Sequence, residues 1–376
     1  MTIKLPSTVI NFAAGDQSRV HFFEEFKDYW NQYRTENGPK DKHYAFSTVD
    51  AENKPITFSE KEALLNAHLK REIGKLAGVD FSTMPMEQWV TNPQVKWATF
   101  AFVDQMIDSV LPDTIIDSIG AFSDVRTGDF GSTFVFDVKP RDLFQVSGAG
   151  FGMRTAEVRK QYDGQVTVNP VMHQMAVGVN LYRVLTGQES LAWFIAKAIK
   201  SIETAMAREV YDVFAAAMLN LSATPVATAL QVSGYSQDAV AYLSQRVQAW
   251  SGGSTPLMLG TKRALGKVFP DDANYRYDVE SEFVKIGYMR QISGVSTYEL
   301  PQVADWSSPF ATVLSDSYLY IIAPGTDKLV KLCIEGGTMS NTTDTFAQAT
   351  LTQDTNIWKK FKAAVVTSSV AAVIDL

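Results

Sequence analysis

The chain has 376 residues, 46% hydrophobic and 20% charged, enough apolar material for about two or three folded units and too much for a disordered polypeptide. Its 41 acidic residues outnumber its 34 basic ones, and the net charge of −7 argues against a surface built to hold nucleic acid by neutralising phosphates. The single cysteine, Cys333, excludes an internal disulfide framework, and its place in the apolar run 329–334 marks it as a small buried hydrophobe on a strand.

The N-terminal residues 1–6 lack the apolar stretch and cleavage site of a signal peptide, and no run approaches the ~18 apolar residues of a membrane span. The expectation is a soluble protein made in a reducing cytoplasm, with no membrane partner. Residues 1–58 read as an arm. Within it, Phe22, Phe26, Trp30 and Tyr33 follow helical spacing, with Glu24, Glu25, Lys27 and Asp28 on the other face. That stripe predicts packing on protein, in this chain's own core or a neighbour's.

Ser59 and Glu62 have the spacing of a capping box, Leu65, Leu69, Ile73 and Leu76 form the apolar stripe behind it, and Gly78 sits at the C-terminal stop. A second helix is expected over 92–109, with Trp97, Phe100, Ala101 and Met106 among its apolar residues and Pro112 ending it. From Thr114 the period changes, and 115–122 read as a strand. A long two-stranded excursion follows: an outgoing strand over 129–138, a glycine-rich tip at Gly148, Gly150, Phe151 and Gly152, and a return over 165–168, continuing to a strand at 175–181. A ribbon of this length buries little of itself and requires a surface to lie on.

Thr186 and Glu189 form a further capping-box pattern, and from Glu189 to Asn220 there is neither Pro nor Gly. Leu191, Ile195, Ile202 and Val213 lie on its apolar face. Lys200 with Glu203, and Arg208 with Asp212, are spaced for surface pairs. This predicts one helix of about 45 Å, long enough to span a domain. Beyond Pro225 an α/β unit is expected: a helix over 236–250 with Val240, Leu243, Val247 and Trp250 on one face, a strand at 255–260, a helix at 261–269, and strands at 283–286, 294–300, 312–314 and 318–323. Residues 328–376 read as strand-rich.

No catalytic constellation emerges. The four histidines, His21, His43, His68 and His173, include no pair at metal-site spacing on a helix. Gly148-x-Gly150 opens like a dinucleotide fingerprint, but Met153 stands where glycine is required. There is no phosphate-binding loop and no nucleophile elbow, and the densest carboxylates, Asp271–Asp272 and Glu280 with Glu282, have no feature of an acid/base pair. No cofactor, metal or catalytic residue is expected.

The order of these parts resembles the Hong Kong 97-type major capsid protein of tailed phages, most closely from Val177 through Arg183 into the helix from Glu189. The resemblance implies an α+β fold divided into an N-arm (1–58), a first part of the P-domain (59–125), the E-loop β-hairpin (126–174), a P-domain strand and long spine helix (175–224), an A-domain (225–330) and C-terminal P-domain strands (331–376). It implies a non-enzymatic subunit that assembles in the host cytoplasm into hexamers and pentamers of an icosahedral virion shell around double-stranded DNA, without reading its sequence. Scaffolding, portal and decoration proteins are the implied partners, with the scaffold a separate protein because the arm is short. The E-loop tip and the arm aromatics Phe22, Phe26 and Trp30 are the implied assembly contacts, and Leu191, Ile195, Ile202 and Val213 build the spine. Covalent linking through Lys139 or Lys160 and Asn341 or Asn356 is not expected, since no catalytic glutamate can be assigned. Two other readings fit the same residues: an encapsulin-type nanocompartment shell, and a soluble α/β enzyme with its site in 225–330.

Overall fold

The computed structural model describes residues 6–13, 16–38, 42–49, 52–85, 92–119, 123–138, 164–179, 183, 188–222, 230–270, 283–323, 328–342, 353–366 and 370–376. Four helices come first: α1 (Ser7–Phe12), α2 (Gln17–Asn37), α3 (Phe58–Ala77) and α4 (Pro93–Ile119). Strands β1 (Ser123–Gly128), β2 (Phe134–Val138), β3 (Gly164–Val168) and β4 (Val171–Val179) lead to the long helix α5 (Leu191–Ser222). Next come β5 (Gln231–Ser233), α6 (Gln237–Trp250), β6 (Leu257–Gly260), α7 (Lys262–Leu265), β7 (Gln291–Ile292), β8 (Val295–Glu299), β9 (Ala304–Asp305), β10 (Ala311–Thr312) and β11 (Tyr318–Ile322). The chain closes with β12 (Val330–Thr342), β13 (Gln353–Val365) and β14 (Ala371–Asp375). Among the described residues no helix is long and apolar enough to cross a membrane.

The aromatic stripe of α2 takes the first of its two homes. Phe22, Phe23, Phe26, Tyr29 and Trp30 are all buried in this subunit's own core, against α3 and α4. The Trp30 indole donates to Thr114 Oγ1 of α4 at 2.9 Å, and Phe102 of α4 meets Phe22 and Phe23. Ion pairs from Lys27 to Asp113 and from Arg34 to Asp117 run along the rim of the same contact. In α3 the capping box forms two residues earlier than the Ser59–Glu62 reading: Thr57 caps, Glu60 reciprocates, and Ser59 lies inside the helix. Leu65, Leu69 and Ile73 are buried as expected, and Gly78 closes the helix at φ 67°, a left-handed backbone natural to glycine.

Pro112 does not end α4. The helix runs through it to Ile119, so 115–119 are helical rather than strand, and the next strand starts at Ser123. A proline at an interior position removes one helical hydrogen bond and crowds the carbonyl of Asp108. The burial of Val110, Leu111, Thr114 and Ile115 on this stretch outweighs that cost.

Two sheets share α5. The four-stranded sheet β1-β12-β13-β4 packs against α4 and α5, with β1 parallel to β12 and the other neighbours antiparallel. The six-stranded sheet has the order β5-β14-β11-β6-β8-β7. Its strands alternate between two cores: Leu319, Ile321, Ala372 and Ile374 face α6 and α7, while Tyr320, Ile322, Ala371 and Val373 join the main core with α5. Residues 331–376, taken together in the sequence reading, therefore separate. β12 and β13 belong to the four-stranded sheet, whereas β14 inserts between β5 and β11. Three smaller readings also change. Residues 283–286 form a helical turn instead of a strand, the helix at 261–269 shortens to α7, and Trp250 at the end of α6 is 70% exposed.

A buried polar knot holds α4 to the four-stranded sheet. Asp108, 5% exposed, accepts from Lys359 Nζ at 2.7 Å, from Thr338 Oγ1 at 2.6 Å and from the Thr338 backbone N–H at 2.8 Å. Lys359 Nζ also donates to the Gly336 carbonyl at 2.9 Å. The register of β12 on β13 shifts between Glu335 and Met339, where the knot lies, and at Gly337 a side chain would sit 3.0 Å from Asp108 Oδ2. One turn earlier on α4, Asp104 accepts from the Ser340 hydroxyl at 2.9 Å. Burial pushes the Asp104 carboxyl up to about 7, with the charge of Asp108 adding to the rise and Lys359 opposing it.

Two outcomes follow from the knot. Asp108→Ala leaves Lys359 buried without its carboxylate and is expected to destabilise the unassembled subunit by about 3–5 kcal/mol, measured by denaturant unfolding. Asp104 acts with the opposite sign. Between the ordinary carboxyl value of 3.8 and about 7, the folded chain keeps a proton that the unfolded chain has lost, so its contribution to stability falls as pH rises through that window and is level above it. Asp104→Asn should match the wild type near pH 4 and exceed it near pH 8; equal unfolding midpoints at both pH values would contradict this.

Candidate assembly interface

The residues expected to act in assembly fall into three places. Leu191 and Ile195 at the start of α5, and Ile202 further along it, are buried in the main core, with Val213 half-buried beside them. Phe22, Phe26 and Trp30 lie in that core too, at 0%, 0% and 1% exposure, and so are closed to any neighbour in this fold. Gly148, Gly150, Phe151 and Gly152 lie outside the described residues. The structure thus brings the spine and arm residues together as one interior.

Local chemistry fixes the start of α5. Thr186 of the expected capping box lies outside the described residues, and Ser190 does the capping: its hydroxyl accepts from the Trp193 N–H at 3.2 Å. Asn66 of α3 donates to the same hydroxyl at 3.0 Å and accepts from the Ala192 N–H at 3.2 Å, tying two helices at one point. The surface pairs of α5 form as spaced, Lys200 to Glu203 at 2.9 Å and Arg208 to Asp212 at 3.6 Å.

The base of the ribbon is two-faced. In β2 and β3, Phe134, Phe136 and Val168 bury against Cys333 and Val366, and the Arg126 guanidinium stacks 4.2 Å from the Phe136 ring. Val135 and Val166, on the opposite face, are about two-fifths exposed. The alternation that buries one face of a strand exposes the other.

Among the described residues, Cys333 is buried and His68 and His173 are paired. Cys333 is fully buried, and burial pushes its thiol up to about 11, far from the thiolate a nucleophile needs. Among the described residues no group of three or more His, Cys, Asp and Glu is placed to hold a metal ion. His68 Nδ1 is 2.7 Å from Glu25, and His173 stacks on Phe361 at 3.8 Å with Glu209 at 3.2 Å. Burial raises the Glu209 carboxyl above its ordinary value. A cavity of about 330 Å³ lies between α2, α5 and residues 301–304, but its charged lining is already paired: Arg34 with Asp117 and Tyr44, Lys200 with Glu203. These pairs link helix to helix, helix to sheet and, for Lys200 with Glu203, successive turns of one helix.

Several large apolar side chains face outward. Trp97, Trp250, Val284, Trp306 and Phe310 are each more than half exposed. The spacing places Trp250 on the apolar face of its helix, and Trp97 counts among the apolar residues of 92–109; each falls on the outward side of its helix. Trp306 and Phe310 lie in a short turn-rich stretch with no period, where the only sequence signal is two aromatics flanking Ser-Ser-Pro.

Over residues 45–375 the sequence matches the family described as SPbeta prophage-derived putative capsid protein YonB. No curated protein matches the chain. Among solved structures it is similar to the mature capsid of bacteriophage PhiM1, with TM-score 0.42, 10% identity, and coverage of 68% of this chain and 85% of that one. It is similar also to the capsid of a native GTA particle, with TM-score 0.46, 12% identity and coverage of 69% and 89%. A virus-like particle from Pyrococcus furiosus gives TM-score 0.37, 11% identity and coverage of 72% and 97%. The assignment rests on the family match, which takes in α3, α4, the ribbon strands, α5 and both sheets. The chain belongs to the family described as SPbeta prophage-derived putative capsid protein YonB, and it is a phage capsid protein.

Proposed function

We propose that many copies of this chain close into an icosahedral shell of hexamers and pentamers around the double-stranded DNA of a tailed phage, with no enzymatic step of its own. The observation that carries the reading is the capsid-family match running from residue 45 to 375, so that the ribbon, the long helix and both sheets fall within it together. In Hong Kong 97-type terms, α5 is the spine helix, the four-stranded sheet with α4 is the P-domain, the six-stranded sheet is the A-domain, and the ribbon begun by β2 and β3 is the E-loop. Its tip, Gly148, Gly150, Phe151 and Gly152, is assigned to a neighbouring subunit. The net charge of −7 suits a wall that encloses DNA without binding it, since like charges do not trap the genome. Assembly in the host cytoplasm, with separate scaffolding, portal and decoration proteins, completes the proposal.

Sedimentation and negative-stain imaging of the purified chain test it: closed particles many times the size of the subunit are expected, and a discrete monomer or dimer with no larger species would overturn the shell reading. Deleting residues 147–152 should leave the melting transition of the subunit in place and reduce particle yield. Loss of the transition itself would make the ribbon tip part of the core.

A further inference from the structure

Between β8 and β11 the chain makes a small hairpin, β9 paired with β10 through Asp305 opposite Ala311 and Ala304 opposite Thr312. Its base is locked. Asp305 accepts from the Ser307 backbone N–H at 3.1 Å and from the Ser307 hydroxyl at 2.6 Å, and Arg208 of α5 pairs with it at 2.9 Å. Below, Gln302 accepts from the Leu314 N–H at 3.2 Å and donates to the Leu314 carbonyl at 2.8 Å. What this rigid base presents is apolar: Trp306 is 59% exposed, and Phe310 is 104% exposed, projecting wholly from the subunit.

Phe310 also has φ 61°, a left-handed backbone that a bulky residue adopts rarely and glycine adopts freely. A phenylalanine that is both strained and fully exposed is unfavourable on both counts in the isolated subunit. A locked hairpin presenting two aromatics fits the anchor of an interface, where Trp and other rigid aromatics carry the binding energy and pre-organisation lowers the ordering cost.

Charge selects the partner. From Trp306 to Ser315 the sequence has no charged residue, in a chain of net charge −7. Identical copies at that charge repel, so contact between them favours surface free of charge. Subunits arranged in rings meet head to tail, and a projecting tip on one copy need only fit a different surface on the next. We infer that the β9–β10 hairpin is a contact between copies of this chain, with Trp306 and Phe310 seated on the neighbouring subunit. The inference rests on the shell reading above and adds the contact residues.

The natural thiol, Cys333, is 0% exposed, so a maleimide applied to a Phe310→Cys chain reads the hairpin tip alone. The introduced thiol should react at least ~10-fold more slowly in assembled particles than in dissociated subunits, because the core of such a contact excludes solvent and reagent. Equal rates in particles and subunits would overturn the contact while leaving the shell reading intact; a wild-type chain that forms no particles would overturn both. Phe310→Gly provides the second reading. It keeps the left-handed backbone without strain, so the subunit should melt no lower than wild type, yet particle yield at equal concentration should drop. Wild-type yield from this variant would overturn the inference.

Discussion

Near the middle of the subunit Phe214 of α5 meets Tyr320 of β11 edge-on, with ring centroids 5.1 Å apart, while the opposite end of the same helix buries Leu191, Ile195 and Ile199 in the main core. That one helix, with an apolar face along its length, supports both sheets. Without it the four-stranded sheet would lose one of the two helices packed on it, and the six-stranded sheet would be apolar on a face open to water. β14 adds to this dependence: the last strand leaves the neighbourhood of β13 and pairs with β11, so the two sheets are joined by covalent chain as well as by packing. A helix without Gly or Pro lacks the usual cause of a sharp kink, and it packs against both sheets.

Apolar burial supplies most of this cohesion, but it does not fix how α4 sits on the sheet, since the hydrophobic effect has no direction. The Asp108 knot supplies that direction. Its three acceptor contacts and the Lys359 bond to Gly336 hold one turn of α4 against a defined register of β12, at the point where the strand pairing shifts. Buried ionic groups of this kind contribute little net stability when paired and are costly when broken, so they select one arrangement over near alternatives. Asp104, a turn away, has no cation of its own, and burial leaves its carboxyl poised near neutrality.

A shell subunit is defined as much by what it leaves uncovered as by what it buries. The helix, arm and spine residues that the sequence marks most strongly form the interior and give the subunit its shape. Outward apolar residues lie on helices, as Trp97 and Trp250 do, on the far side of the ribbon and at the tip of the β9–β10 hairpin. A chain of net negative charge keeps its copies apart in solution, and uncharged elements held rigid from below are places where copies can meet despite that repulsion.

How much of this was readable from the residues depended on whether a segment carried its own period. The stripe of α5, its i,i+3 and i,i+4 charge pairs, the Gly78 stop and the ribbon strands were all determined by sequence alone, because helix and strand periodicity is local. Tertiary packing decided the rest. Pro112 reads as a breaker until the burial of Val110, Leu111 and Ile115 carries the helix through it, and Ile115–Ile119 reads as a strand until those neighbours are in place. Phe22, Phe26 and Trp30 fit an own core or a neighbour's equally well by pattern, and only the position of α4 beside them resolved the choice. Burial at Asp104, the insertion of β14 between β5 and β11, and the exposure of Phe310 each depend on groups far away in the chain, and no local period encodes them.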